Sequence, residues 1–314
     1  MELTVESYKS LLSEHGSLAE VARVLGRDPR NLRRWVRRNV DGVTPKGKTV
    51  ESAVLHLTDL HYGKETDSFD VKICEQRLDT MIEHALDIND ILKTGYKFEE
   101  LVIPMTGDMI DGELIFKTHP FHVDKRAAFA LEQATQLAYL MRPRIERLKA
   151  IAPKIRVRGV PGNHGRTSKF AHEASNWDRT FYTLLQVMYE KDPTVDVSLA
   201  SKNIDIIQIQ GHGFLLYHGS GIKSYQNIPF YGIRQRVLRW SKTLKTPFRV
   251  VLMGHFHQCL EDHIDDIEVK LSGAMPSDDD WSIEELGVDA ENKMRFFGVH
   301  PDHPVTWEYK LDIR

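Results

Sequence analysis

The chain has 314 residues, two cysteines, 15 histidines and a formal net charge of −3. Its most apolar runs, such as residues 101–105 and 250–253, fall far short of the roughly 20 residues that a membrane helix needs, and two cysteines build no disulfide framework. Scarce thiols exclude a thiolate zinc module, while abundant imidazole favours histidine and carboxylate metal chemistry.

The first predicted elements are short helices. Ser17 with Glu20 forms a capping box, and Leu18, Val21, Ala22 and Leu25 recur at helical spacing until Gly26. Asp28 and Pro29 open a second helix whose apolar side is Leu32, Trp35 and Val36. Arg30, Arg33, Arg34 and Arg37 share its opposite side, so residues 1–40 resemble a helix-turn-helix domain with 28–38 as the recognition helix. That stripe suits DNA phosphates or guanine edges; the plainer reading is a charged, solvated face. Gly42, Pro45 and Gly47 mark residues 41–52 as a linker. Residues 20–48 carry nine Lys/Arg against three acids, whereas 49–314 carry 32 against 39. The overall charge therefore averages a basic segment with an acidic body.

Beyond the linker, strand patterns at 53–58, 101–106, 155–160, 204–209, 214–217, 248–253, 267–272, 294–299 and 305–311 are interspersed with helical patterns at 71–92, 123–148, 173–190 and 228–244. This order predicts an α/β domain over 53–314 with two sheets flanked by helices.

Five of these strands end in short polar residues, usually beside glycine. They are Asp59-Leu60-His61, Gly107-Asp108 with Asp111-Gly112, Gly162-Asn163-His164, His218-Gly219 and Gly254-His255-Phe256-His257. Sites in α/β sheets lie outside the carboxyl ends of strands, so the five loops are expected to share one crevice.

This set resembles the calcineurin-like metallophosphoesterases, over roughly residue 54 to the C-terminus. The resemblance implies an α/β/β/α sandwich and two divalent ions. One would be held by Asp59, His61, Asp108 and His257, the other by Asp108, Asn163, His218 and His255, with Asp108 bridging. His164 would be the substrate-facing proton donor. A shared carboxylate suits two ions about 3.5–4 Å apart, which would activate water to hydroxide and neutralise phosphoryl charge. The ligand set without cysteine suits Mn²⁺, Fe or Zn²⁺, with Mn²⁺ first by analogy to nucleases. Asp111 is expected to cap the turn that follows it.

The sequence departs from the family at Gly165, where an acid usually follows the Asn-His pair. Either another acid orients His164, with Asp178 nearest in sequence, or the histidine's pKa is less raised; the neighbouring Arg166 could instead bind a substrate phosphate. A Gly-Arg pair here is similar to phage and bacterial nuclease-like members. A basic and aromatic stretch around residues 223–242 reads equally as a nucleic-acid channel or as an amphipathic helix packing Ile228, Val237, Leu238 and Trp240 inward. His119 and His122 are weaker candidates for substrate contact. The expected function is phosphodiester hydrolysis, as a DNA exo- or endonuclease in the cytoplasm without membrane association. The alternatives are a phosphatase or phosphodiesterase on small or cyclic nucleotides or phosphoproteins, and an inactive DNA-binding scaffold.

Overall fold

The computed structural model describes residues 4–15, 18–28, 32, 35–36, 48–116, 119–172, 174–223, 229–277 and 290–314. The chain divides into two compact units, Met1–Thr49 and Val50–Arg314.

In the first unit, helices α1 (Val5–His15) and α2 (Leu18–Val24) enclose a small core of Tyr8, Val21, Ala22, Leu32 and Val36. Trp35 packs against this core, its ring centroid 6.0 Å from that of Tyr8. Arg30, Arg33, Arg34 and Arg37 lie outside the described residues.

The second unit contains two sheets. The first has six strands in the order β11-β10-β1-β2-β3-β4, and the second has five in the order β5-β6-β7-β9-β8. The strands of the first sheet are β1 (Thr49–His56), β2 (Tyr96–Met105), β3 (Ile155–Gly159), β4 (Val195–Leu199), β10 (Lys293–Val299) and β11 (Glu308–Asp312). Those of the second are β5 (Ile204–Ile209), β6 (His212–Tyr217), β7 (Val250–Met253), β8 (Glu261–Ile264) and β9 (Ile267–Leu271). The helices are α3 (Val71–Leu92), α4 (Ala130–Leu148), α5 (Trp177–Tyr189) and α6 (Phe230–Thr243).

Successive side chains of a strand point to opposite faces, and here both faces are buried. Ala53 and Leu55 of β1 join Leu78, Met81, Leu137, Met141, Phe181 and Leu185 beneath α3, α4 and α5. Val54 faces the other way and meets Phe214, Leu216, Val250 and Leu252 between the sheets. The alternate residues Leu215, Val251 and Met253 pack outward against Ile233 and Val237 of α6. The result is the expected α/β/β/α sandwich, and burial on both faces explains why its central strands read as continuous apolar runs.

Some boundaries differ from the pattern. β1 opens at Thr49, earlier than its apolar run marks. The helical periodicity from 123 opens with a 3₁₀ turn, Lys125–Ala127, preceded by another at His119–Phe121, and α4 begins only at Ala130. There the Asp124 carboxylate accepts the N–H groups of Val71 and Arg126, which holds the segment out of the helix. In α6 Ile233 and Val237 are buried and Trp240 packs on the core, but Leu238 is exposed and Ile228 lies outside the described residues.

Candidate metal centre

β2, β3 and β4 run parallel, β1 joins them through the parallel Leu57–Met105 bridge, and β6, β7 and β9 run parallel in the second sheet. Their carboxyl ends open at the same edge of the sandwich. Asp59 and His61 follow β1, Asp108 and Asp111 follow β2, Asn163 and His164 follow β3, His218 follows β6, and His255 and His257 follow β7. The structure brings these residues together.

The loops achieve this with strained backbone. Seven non-glycine residues among those described have positive φ, and five are Asp59 (49°), His61 (46°), Asp108 (51°), His255 (72°) and His257 (53°). Such conformations cost on the order of 1–3 kcal/mol each and cluster where function demands a particular side-chain direction. The Gly254 backbone passes so close to Asp59 that a Cβ there would overlap Asp59 Oδ2 and Thr58 Oγ1.

Two groups of donor atoms result. In the first, Asp59 Oδ1 lies 3.4 Å from His257 Nε2 and 3.7 Å from His61 Nε2, and the two nitrogens are 3.1 Å apart. Oδ2 of the same carboxylate accepts from Thr58 Oγ1 (2.6 Å) and from the His255 N–H (2.8 Å). Oδ1, fully buried, makes no hydrogen bond. A buried carboxylate oxygen without a hydrogen, facing two imidazole nitrogens, is costly alone and fits a cation. In the second group His218 Nε2 lies 2.9 Å from Asp108 Oδ2 and 3.0 Å from Asn163 Oδ1, with His255 completing the cluster. His218 Nδ1 donates to the Thr106 carbonyl (2.8 Å), which directs Nε2 toward the cluster.

The electrostatics agree. Burial opposes charge on Asp59, yet His257 and His61 hold its carboxyl well below the usual range. Burial likewise opposes charge on His61, but the Asp111 and Asp59 carboxylates lift it to about 10. His218 is raised to about 9 against burial, chiefly by Asp108. His255, more buried than paired, is pushed down to about 3. The carboxylates thus draw positive charge into both groups, which a divalent ion satisfies through the same atoms.

Asp111 does not serve as a cap for its turn. Its Oδ1 faces His61 Nδ1 at 3.0 Å and His164 Nδ1 at 3.2 Å, so one carboxylate orients two histidines. Asp178 does not touch His164. It accepts the backbone N–H groups of Asp108, Met109, Ile110 and Gly162 at 2.8–3.2 Å, tying the loops after β2 and β3 together. Burial, then the charge of Asp108, raise its pKa to about 6. His119 is buried, with Nε2 3.2 Å from His164 Nδ1, whereas His122 is exposed. Arg166 Nε donates to the Asn163 carbonyl (3.0 Å), which sets its guanidinium beside a loop of the centre. Sequence spacing gave no signal for the Asp111–His164 contact, since tertiary folding alone joins the loops after β2 and β3. A third cluster, Glu261, His263 and Glu268, is at the edge of the second sheet, and both its glutamates pair with Lys270.

Residues 52–290 match the calcineurin-like phosphoesterase family, and the chain belongs to it. The family uses divalent metals, in keeping with the two donor groups. No curated protein matches the sequence. Solved structures similar to the chain include an archaeal phosphodiesterase, 14% identical, covering 82% of this chain and 99% of that one with a TM-score of 0.40. Vacuolar protein sorting 29 from Cryptosporidium parvum is 12% identical, with 83% and 98% covered and a TM-score of 0.39. A predicted phosphoesterase from Streptococcus pneumoniae is 10% identical, with 83% and 98% covered and a TM-score of 0.30. Among the described residues no helix is long and apolar enough to cross a membrane.

Proposed function

We propose that this phosphoesterase hydrolyses phosphodiester bonds in DNA with two divalent ions, Mn²⁺ being the preferred metal. The observation that carries the metal reading is the buried, unbonded Asp59 Oδ1 between His61 and His257. Asp59, His61 and His257 would hold one ion, Asn163, His218 and His255 the other, with Asp108 shared between them. When bound, the ions supply Lewis acidity to the phosphoryl oxygens and an activated nucleophile.

The protein's own groups do the rest. Asp111 engages the Nδ1 atoms of both His61 and His164, so each ring presents Nε2 away from it. For His61 that nitrogen joins the donor group. For His164 it is free to protonate the departing oxygen, with Asp111 stabilising the imidazolium. The Asp108 Oδ1 atom accepts the His164 N–H at 2.8 Å, fixing the loop that carries this histidine. Arg166, beside Asn163, is suited to a substrate phosphate oxygen.

The excess of basic residues over 20–48, against an acidic remainder, supports a nucleic-acid substrate tethered by the first unit. A Mn²⁺-supplemented panel of bis-(p-nitrophenyl) phosphate, p-nitrophenyl phosphate, cyclic nucleotides, and single- and double-stranded DNA tests the reading, alongside deletion of residues 1–48. Diester and DNA hydrolysis is expected, with weaker and less salt-dependent DNA binding after the deletion. Turnover of monoesters alone, or an unchanged salt slope, overturns it.

A further inference from the structure

An exposed aromatic ring stands beside the proton-handling histidine. The Phe116 ring centroid is 4.6 Å from that of His164, at an interplanar angle of 41°, and 5.0 Å from that of His119. Phe116 is nevertheless 38% exposed, while its neighbour Ile115 is buried. The backbone that carries Phe116 is anchored before and after it. On one side Gly112 packs so tightly on the His164 carbonyl that a Cβ would overlap it, with a φ of 79° that favours glycine. The buried Gln133 side chain grips the same residue, accepting the Gly112 N–H (2.8 Å) and donating to its carbonyl (3.3 Å). On the other side the Phe116 carbonyl accepts the His119 N–H at 3.2 Å.

We infer that Phe116 is a specificity residue that stacks the nucleobase of the departing nucleoside, so that the preferred substrate bears a base on the leaving side of the scissile phosphate. The inference rests on the diesterase reading. A histidine that protonates the leaving oxygen has the substituent of that oxygen beside it, and here a phenyl ring adjoins the histidine. A sugar or alkyl group offers such a ring no flat π-face to stack, whereas every base does. Recognition is therefore strong and indifferent to base identity.

The test compares the full-length protein with Phe116→Ala, Phe116→Leu and Phe116→Tyr in Mn²⁺. The substrates are d(TpT) and its analogues with an abasic tetrahydrofuran residue on one side or the other, and product analysis identifies the departing nucleoside. Stacking of about 1–3 kcal/mol predicts that Phe116→Ala and Phe116→Leu raise KM roughly 5- to 150-fold when the departing residue has a base. KM for the analogue abasic on that side should stay unchanged, kcat should change little, and Phe116→Tyr should retain wild-type behaviour. Equal losses on both substrates, or a loss confined to kcat, would show that the ring only props His164 and overturn the inference while leaving the diesterase reading intact. Failure of the wild type to hydrolyse any of these diesters removes that reading and the inference with it.

Discussion

Asp178 accepts the backbone N–H of Asp108 at 3.0 Å, and through three further N–H groups it clamps the loops after β2 and β3 into one rigid ledge. All these groups are buried, so removing the carboxylate strands several donors at roughly 1–3 kcal/mol apiece. Asp178→Ala is expected to destabilise the protein by at least about 3 kcal/mol, measured by urea unfolding. A loss under about 1 kcal/mol would mean that the clamp contributes little.

Asp111 orients two imidazoles at once. Asp111→Asn keeps the shape but weakens both contacts, and supporting groups of this kind typically govern metal affinity or activity by about 10- to 100-fold. Both Mn²⁺ affinity, by calorimetry, and kcat should fall. A variant that binds Mn²⁺ normally and turns over normally would refute the dual role.

His164→Ala should spare metal binding and lose about 10²–10⁴-fold in kcat on an unactivated diester. The loss should be much smaller with p-nitrophenol as leaving group, which departs without a proton. Comparable losses on the two substrates would remove His164 from the proton-donating role.

His56 is buried, bonded to Thr106 Oγ1 and Ser272 Oγ at 2.8 Å each. Burial, then the charge of Arg295, push its pKa from 6.5 to about 3. The unfolded chain therefore binds this proton first, so stability is complete above the unfolded value and falls as pH drops toward the folded one. His56 should contribute a loss of about 2 kcal/mol between about pH 6.5 and 5, which His56→Gln abolishes. Parallel stability–pH curves for the two proteins would contradict this.

The ligand-bearing loops were legible because each follows an apolar strand and breaks with Asp, Asn or His. The strand patterns β5 and β9 were equally clear because isoleucine and valine recur along them, and the helix α3 because its buried residues recur regularly over 22 residues. β4 and β8 carry no clear strand pattern because they are short, with charged or exposed residues between few buried ones. The partner of His164 is not legible for a different reason. Asp178 is near in sequence, but helix α5 turns its carboxylate toward backbone, while Asp111, 53 residues away, reaches the ring across adjoining strand ends. Contacts of that kind depend on strand order, which a single sequence does not display.

The left-handed backbone at Asp59, His61, Asp108, His255 and His257 has a consequence for how the molecule tolerates change. Glycine at partly exposed His257 would relax its turn while deleting a donor, so the unliganded fold could gain stability from a substitution that ends its chemistry. Selection for robustness and selection for hydrolysis therefore pull in opposite directions at this rim, and only retained activity keeps an imidazole where the chain itself would settle more easily without one.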